Sequence, residues 1–214
     1  MNDVASAPRV EQLFAEAGAY REGHFKLKSG LHGDRYIEKF QVMQWPTIVT
    51  ELCSMIADRA RRLDGRPIDV VVGPTTGGVT LAYEVARQLG VRGIFAEQVR
   101  GNDGTTRREF RRGFRIERGE RVLLVDDVVT TGASLVEMLP PIEQAGGELA
   151  LACVLVDRSG ELTEVESAGS GRRYPVGALW TLALPTYEPG PATCPACCEG
   201  LPLEAPGSSG TSPG

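Results

Sequence analysis

Long hydrophobic runs are missing from this sequence of 214 residues, and no stretch approaches the roughly 20 apolar residues that a membrane-spanning helix needs. The opening residues, MNDVASAPRVEQ, lack the basic and apolar regions of a secretion signal. Cysteine is scarce, and the five that occur are an odd number without the spacing of a disulfide framework, which favours a reducing compartment. We therefore expect a cytoplasmic protein without a membrane partner.

Positive charge is also in short supply. With 23 basic and 28 acidic residues the net charge is −5, so the overall charge makes nucleic acid an unlikely partner. Apolar residues make up 42% and charged residues 24% of the chain, which is typical of a globular protein. A chain of this length predicts a single core, in one domain that has at most an appendage.

Short apolar runs alternate with segments of helical periodicity through the middle of the chain. Strands are predicted at 68–72, 93–97, 121–125, 149–156 and 174–184, and helices at about 8–17, 48–63, 79–89 and 134–145, the last cut or kinked by Pro140-Pro141. This alternation predicts an α/β fold with a mostly parallel sheet and right-handed crossovers. Residues 19–40 predict a hairpin or two short strands. Residues 185–214, with seven of the 14 prolines, predict a tail after a domain at 1–184.

The most informative stretch is VLLVDDVVTTGAS, residues 122–134. Asp126 and Asp127 follow an apolar run, at the strand end where an open α/β sheet binds ligands. The turn Thr130–Ser134 opens a helix, so its backbone N–H groups suit a phosphate. The carboxylates would repel that phosphate, and they suit instead two neighbouring hydroxyls or a divalent cation. The pattern predicts a ribose 5-phosphate site; the plainer alternative is an acidic strand end before an ordinary helix cap.

This stretch resembles the ribose-phosphate signature of the type I phosphoribosyltransferases, and the resemblance extends over roughly residues 18–160. It implies that Asp126 and Asp127 hold the 2- and 3-hydroxyls of phosphoribosyl pyrophosphate. The following residues would surround its 5-phosphate: Val128, Val129, Thr130, Thr131, Gly132, Ala133 and Ser134.

A second loop, Gly73-Pro74-Thr75-Thr76-Gly77-Gly78, follows a predicted strand and precedes a helix. Its small residues would let backbone amides approach a pyrophosphate. By resemblance it is the family's pyrophosphate loop, which implies binding roles for Thr75, Thr76, Gly77 and Gly78. The alternative is a tight connection without a ligand.

Two further segments resemble the orotate phosphoribosyltransferases. The first is GHFKLKSGLH at 23–32, which by resemblance places Lys28 near the base and the pyrophosphate and Phe25 near orotate. The second is Val156-Asp157-Arg158, whose Arg158 would meet the carboxylate of orotate; a guanidinium suits planar, bidentate carboxylate recognition. Thr130 would also touch the base. The alternatives are a solvated hairpin lysine and an Asp157–Arg158 surface pair.

The segment from Gln98 to Arg121 contains eight arginines and predicts a long mobile loop or an irregular hairpin. Orotate enzymes usually carry lysines and a histidine in a mobile catalytic loop, and no lysine or histidine lies between Phe95 and Asp126 here. Arg100, Arg107 and Arg108 are therefore the candidate catalytic cations for the departing pyrophosphate. A solvated charged hairpin is the alternative for each of them.

The tail contains Cys194-Pro195-Ala196-Cys197-Cys198. A CxxC pair can begin a zinc site, but a closed structural site needs four ligands. Cys53 and Cys153 lie in apolar patterns typical of a core, and His24 and His32 belong to the predicted hairpin. The sequence therefore predicts no metal-ligating residues, unless two subunits share a site.

The resemblance implies a type I phosphoribosyltransferase fold, with a small hood formed by about residues 1–45 and the C-terminal region. It also implies transfer of phosphoribose from phosphoribosyl pyrophosphate to orotate in pyrimidine biosynthesis, with Mg²⁺ as cofactor and a homodimer as the assembly. Three alternatives stay open: an enzyme for another base, a non-catalytic relative, and a regulator that senses phosphoribosyl pyrophosphate and binds nucleic acid through its arginines.

Overall fold

Ten strands and six helices make up the part of the chain that the computed structural model describes, which is residues 6–27, 29–101 and 104–206. The strands are β1 (Tyr20–Lys26), β2 (His32–Ile37), β3 (Val70–Pro74), β4 (Arg92–Arg100), β5 (Thr106–Phe110), β6 (Arg121–Val129), β7 (Glu148–Asp157), β8 (Glu164–Glu166), β9 (Arg173–Thr181) and β10 (Thr186–Tyr187). The helices are α1 (Ala7–Glu16), α2 (Lys39–Met43), α3 (Pro46–Arg61), α4 (Gly77–Leu89), α5 (Ala133–Gln144) and α6 (Pro195–Cys198).

Seven strands form the main sheet, in the order β5-β4-β3-β6-β7-β9-β8. The inner strands β4, β3, β6, β7 and β9 pair in parallel, while β5 and β8 pair antiparallel at the two edges. Every residue of β3 is buried, as a parallel strand covered by helices on both faces requires. The predicted α/β fold with a mostly parallel sheet is confirmed.

The direction of strand addition reverses between β3 and β6. From β3 the chain passes through α4 to β4 on one side, and it later returns to place β6 on the other side of β3. Such a reversal opens a crevice beyond the carboxyl ends of the two strands, where doubly wound sheets bind their ligands. The loop Gly73–Gly78 and the stretch 126–134 follow these two strands, so topology brings both sequence motifs to one crevice.

A smaller antiparallel sheet stands beside the main one, in the order β1-β2-β10. The predicted hairpin supplies β1 and β2, and the C-terminal region supplies β10. Trp180 of β9 anchors this hood, because its ring packs edge-on against Phe14 of α1 at 5.8 Å and against Tyr20 of β1 at 5.3 Å.

Several elements differ from the sequence prediction. Strand β6 extends to Val129, so Asp126 and Asp127 lie within the strand, near its carboxyl end, instead of after it. Helix α5 passes through Pro140-Pro141 without interruption; Pro140 is exposed, where solvent can satisfy the carbonyl groups that lose their helical donors. The arginine-rich segment contains a regular hairpin of β4 and β5, which confirms the hairpin alternative.

The predicted tail is partly structured. Residues 185–206 contribute β10 and α6 and pack on the hood, whereas residues 207–214 lie outside the described part of the chain. Within the described ranges, no helix has the length and hydrophobicity to cross a bilayer.

Candidate active site

Two adjacent carboxylates are buried at the carboxyl end of β6. Asp127 is 1% exposed and Asp126 is 5% exposed. Lys39 of α2 contacts both oxygens of Asp127, at 2.9 Å to Oδ1 and 2.8 Å to Oδ2. Because 37% of the Lys39 side chain remains exposed, the pair opens toward the crevice. An ammonium group from the hood therefore balances one of the two buried charges.

Among the residues that the structure describes, no cation forms a comparable ion pair with Asp126. Its Oδ1 accepts the backbone N–H of Asp127 at 2.9 Å, and the Ser134 hydroxyl donates to its side chain. Burial, and then the Asp127 charge, raise the pKa of Asp126 from 3.8 to about 6. The carboxyl oxygens of Asp126 are suited to accept hydrogen bonds from a diol.

The turn after β6 presents exposed backbone at the start of α5. Thr130, Thr131 and Ala133 are exposed, and Gly132 adopts a left-handed φ of 76° as the helix cap. A side chain at position 132 would be strained and would meet Leu162 and Val165. The turn borders an open cavity of about 410 Å³ that Ser159 and Leu162 also line. A 12-residue helix begins beside this cavity, and the amino end of a helix favours an anion.

The loop after β3 is packed so closely that only glycine fits at three positions. A methyl group on Gly77 would overlap the Asp127 carboxylate, and one on Gly73 would overlap the backbone of Gly78. A methyl group on Gly78 would lie 2.6 Å from Pro74 Cδ. The glycines therefore bring the start of α4 directly against the acidic pair. In this arrangement one ligand could contact both the loop and the pair.

The structure separates the three candidate arginines of the β4–β5 hairpin. Arg108 turns inward: its Nη1 donates to Thr75 O and Thr75 Oγ1, both at 3.1 Å, and its side chain is 9% exposed. Arg107 turns outward, pairs with Glu109 at 2.6 Å and is 60% exposed. Arg100 is exposed at the end of β4. Only Arg108 of the three contacts the loop after β3.

Arg158 lies at the carboxyl end of β7, next to the same crevice. The alternative of an Asp157–Arg158 surface pair is wrong, because Asp157 is buried and its oxygens accept from Ser159 N, Ser159 Oγ and Leu162 N. Among the described residues the Arg158 side chain has no ion-pair partner, and its buried Nε has no acceptor. Burial lowers the pKa of its guanidinium, with Tyr36 the only opposing group.

Phe25 is fully buried, so the expected direct contact between Phe25 and orotate is not available in this structure. Its ring packs on Tyr36 at 5.6 Å and lies under the Arg21 guanidinium. Tyr36, which is only half-buried, is the residue beside Arg158. Phe25 therefore supports Tyr36, and Tyr36 has the accessible position.

Lys28 lies outside the described residues. Two residues of the site, Lys39 and Tyr36, were not predicted from the sequence. Lysine occurs only three times in the chain, as Lys26, Lys28 and Lys39, and that scarcity was the one signal that could have marked Lys39.

The comparisons with known proteins agree with this geometry. A family model described as a phosphoribosyl transferase domain matches residues 41–170, so the fold and the crevice are those of the phosphoribosyltransferase class. The orotate phosphoribosyltransferase of Caldicellulosiruptor bescii is 43% identical over 197 residues, which are 92% of this chain and 95% of that protein. That of Desulforamulus reducens is 40% identical over 199 residues, 93% of this chain and 95% of its own.

The fold of this chain is also similar to that of a solved structure. The crystal structure of orotate phosphoribosyltransferase from Aeropyrum pernix superposes with a TM-score of 0.62 at 25% identity, covering 81% of this chain and 93% of the other. The chain belongs to the orotate phosphoribosyltransferase family.

The raised pKa of Asp126 predicts a stability effect with a defined pH dependence. A carboxyl group whose pKa is higher in the folded state binds its proton more tightly there, so the free energy of unfolding falls as pH rises from 3.8 to about 6 and stays lower above it. Asn cannot ionise. Asp126→Asn should therefore raise the melting temperature at pH 8 and leave it nearly unchanged at pH 4. Thermal unfolding at both pH values, with the exposed Asp58→Asn as control, checks this; an equal shift at both pH values would contradict it.

Proposed function

We propose that this chain catalyses the reaction after which its family is named: transfer of the phosphoribosyl group from phosphoribosyl pyrophosphate to orotate. In this reaction the bond from C1 of the ribose to a pyrophosphate oxygen breaks, and a bond from C1 to a ring nitrogen of orotate forms. The ring nitrogen loses its proton, and orotidine 5-phosphate and pyrophosphate are the products. The observation that carries the proposal is the convergence, in one crevice, of a buried acidic pair, a turn that opens a helix, and an arginine without an ion-pair partner among the described residues.

Each part of the substrates has a chemically matched position. The ribose hydroxyls would donate to Asp126 and Asp127, and the 5-phosphate would accept N–H groups from the turn 130–134. The pyrophosphate would lie against residues 75–78, beside Arg108, and by the family resemblance Lys28 would also contact it. The orotate carboxylate would pair with Arg158, whose guanidinium lacks a protein carboxylate among the described residues.

The chemistry needs no covalent nucleophile. As the C1–oxygen bond lengthens, positive charge develops on the sugar and negative charge on the leaving group. The chain contributes positioning, through groups fixed at the ends of β3, β6 and β7, and charge stabilisation, through Arg108 and Lys28. The buried acidic pair would also stabilise a sugar that carries partial positive charge.

A divalent cation fits this site. The oxygens of Asp126 and Asp127 are ligands of the kind that Mg²⁺ prefers, directly or through water, and Mg²⁺ usually completes its shell with substrate phosphates. When bound with the pyrophosphate it would neutralise charge on the leaving group. Asp126, which has no cationic partner among the described side chains, is the member of the pair that we propose faces it.

The nucleic-acid-binding regulator is disfavoured by the way the arginines are used. Within 100–121, Arg107, Arg112 and Arg115 pair with Glu109, Glu97 and Glu117, at distances of 2.5–2.6 Å. Arg108 and Arg121 pair with Glu137 and Asp64. Because five of the eight arginines in this segment are paired with carboxylates, the surface offers less net positive charge to a phosphate backbone.

We further propose that the chain forms a homodimer. Three large apolar side chains remain exposed on the consecutive elements around α2, α3 and α4: Phe40 at 50%, Trp45 at 52% and Tyr83 at 69%. Aromatic residues of this kind are enriched in protein interfaces.

The first test is turnover. Purified protein with Mg²⁺ and phosphoribosyl pyrophosphate should consume orotate, measured by loss of its absorbance, and should not consume uracil or hypoxanthine. Arg158→Ala should reduce kcat/KM for orotate by about 10²-fold or more, because a buried charge-assisted pair with the carboxylate is lost.

The outcomes separate the alternatives. Consumption of hypoxanthine or uracil in place of orotate would assign another base. Binding of phosphoribosyl pyrophosphate without turnover of any base would leave a non-catalytic relative, and salt-dependent binding of DNA or RNA would then identify the regulator.

A matched pair of substitutions tests the cation beside the pyrophosphate loop. Arg108→Gln should lower kcat by about 10²–10³-fold, as removal of a group that stabilises developing charge usually does. Arg107→Gln removes the same charge from the adjacent position on the outer face of the hairpin and should change kcat by less than about 3-fold. Steady-state kinetics of both variants checks this, and equal losses would contradict the assignment of Arg108.

The molecular mass in solution tests the proposed homodimer. Sedimentation equilibrium should give twice the chain mass of 23.0 kDa, and Tyr83→Glu should shift the equilibrium toward the monomer because it places a charge in an apolar interface. A single-chain mass for the unsubstituted protein at micromolar concentration would overturn the proposal.

A further inference from the structure

A second cluster of reactive side chains lies in the hood, apart from the crevice. It consists of His24 of β1, His32 of β2, and Cys194 and Cys197 at the start of α6. One ligand atom from each residue lies within 4.8 Å of all the others. His24, His32 and Cys194 are 4%, 5% and 1% exposed, and Cys197 is partly exposed. The proposed reaction uses none of these four residues.

The distances between these atoms are close to those of a tetrahedral zinc site. With bonds of about 2.0–2.1 Å to nitrogen and about 2.3 Å to sulfur, a regular tetrahedron puts nitrogen and sulfur about 3.6 Å apart and two nitrogens about 3.4 Å apart. His24 Nε2 lies 3.6 Å from Cys194 Sγ and 3.5 Å from Cys197 Sγ. His32 Nδ1 lies 3.3 Å from Cys197 Sγ and 2.8 Å from His24 Nε2. The two nitrogens lie at hydrogen-bond distance, which is closer than in the tetrahedron.

The hydrogen bond behind His24 fixes the tautomer that a metal needs. Nδ1 of His24 lies 2.9 Å from the carbonyl oxygen of Leu201. A carbonyl only accepts, so Nδ1 carries the proton and the lone pair of Nε2 points toward the two sulfur atoms. A backbone carbonyl on the far nitrogen is the usual outer partner of a metal-bound histidine.

The path of the chain around the cluster also needs an explanation. β10 pairs with the β2 edge of the hairpin, at Thr186–Gly33 and Tyr187–His32. Farther along, Glu204 pairs with the opposite edge, where Lys26 N donates to Glu204 O at 2.7 Å and Glu204 N donates to His24 O at 2.8 Å. The segment between these two pairings crosses the hairpin and places Cys194 and Cys197 over His24 and His32.

Hydrophobic burial does little to hold this segment in place. Across residues 185–206, only Cys194 and Ala196 are buried. Ordering a chain segment has a large entropic cost, and small proteins or segments without a core commonly offset it with a metal ion.

We propose that His24, His32, Cys194 and Cys197 bind one structural zinc ion that holds the C-terminal segment across the hood hairpin. Two thiolates and two imidazoles in a tetrahedral arrangement select zinc over the hard cations that suit carboxylates. Four protein ligands leave no position open for water or substrate, so the ion is structural and separate from the Mg²⁺ of the proposed reaction. The site does not depend on the proposed function, because metal content can be measured without activity.

The primary test is metal content with a matched cysteine control. The full chain, purified without chelator, should contain one zinc ion per chain when its metal content is measured by inductively coupled plasma mass spectrometry. Cys197→Ser should lose most of that zinc, whereas Cys198→Ser, which alters the exposed neighbour, should keep it. Chelator-stripped protein should take up one equivalent of Co²⁺ and show the visible absorption of tetrahedral cobalt with thiolate ligands.

A second measurement keeps the test valid if Cys197→Ser folds poorly. Glu199 is exposed in the crossing segment and is followed by Gly200, so stripping zinc from the unsubstituted protein should make the bond after Glu199 at least 10-fold more susceptible to a glutamate-specific protease. Adding Zn²⁺ back should restore protection. The proposal is overturned if the protein neither contains nor takes up Zn²⁺ or Co²⁺. It is equally overturned if Cys198→Ser loses as much zinc as Cys197→Ser, or if the native protein carries a Cys194–Cys197 disulfide.

Discussion

The burial of two adjacent carboxylates at the end of one central strand is the constraint on which the rest of this structure depends. Asp126 and Asp127 have almost no contact with solvent, and two charges in such a place must be balanced. Lys39 supplies one cation from the hood, and burial together with the Asp127 charge raises the pKa of Asp126, which forms no ion pair among the described residues. Gly77 packs against Asp127 so closely that the loop after β3 and the acidic pair form one surface. The ligand that we propose for this surface carries both hydroxyls and phosphates.

The hood has two roles in this account. Through Lys39 it completes the acidic pair, and through Tyr36 it forms one side of the space beside Arg158. It is nevertheless a small sheet of three short strands, which is marginal by itself. Trp180 attaches it to the main sheet, and the crossing C-terminal segment covers it. The zinc that we propose would therefore act on catalysis only indirectly, by fixing the hairpin of β1 and β2, which presents Tyr36.

Local patterns in the sequence predicted the features that local physics determines. The apolar runs of β3, β6 and β7 revealed a parallel sheet, and VLLVDDVVTTGAS and GPTTGG revealed the two sides of the crevice. The features that could not be predicted depend on contacts between distant residues. Lys39 and Asp127 are 88 positions apart, and His24 and Cys194 are 170 apart. Likewise, the choice of Arg108 over Arg107 follows from the side alternation of β5, and its register was not evident in a segment with few apolar residues.

The central claim is that the acidic pair recognises a ribose diol while the neighbouring turn binds its 5-phosphate. Titration calorimetry with ribose 5-phosphate and 2-deoxyribose 5-phosphate tests this most directly, because the two ligands share the phosphate and differ by one hydroxyl. We predict that the deoxy sugar binds at least about 10-fold more weakly, since a buried carboxylate then loses a hydrogen bond. Equal affinities would show that the carboxylates do not hold the diol, and would contradict the account.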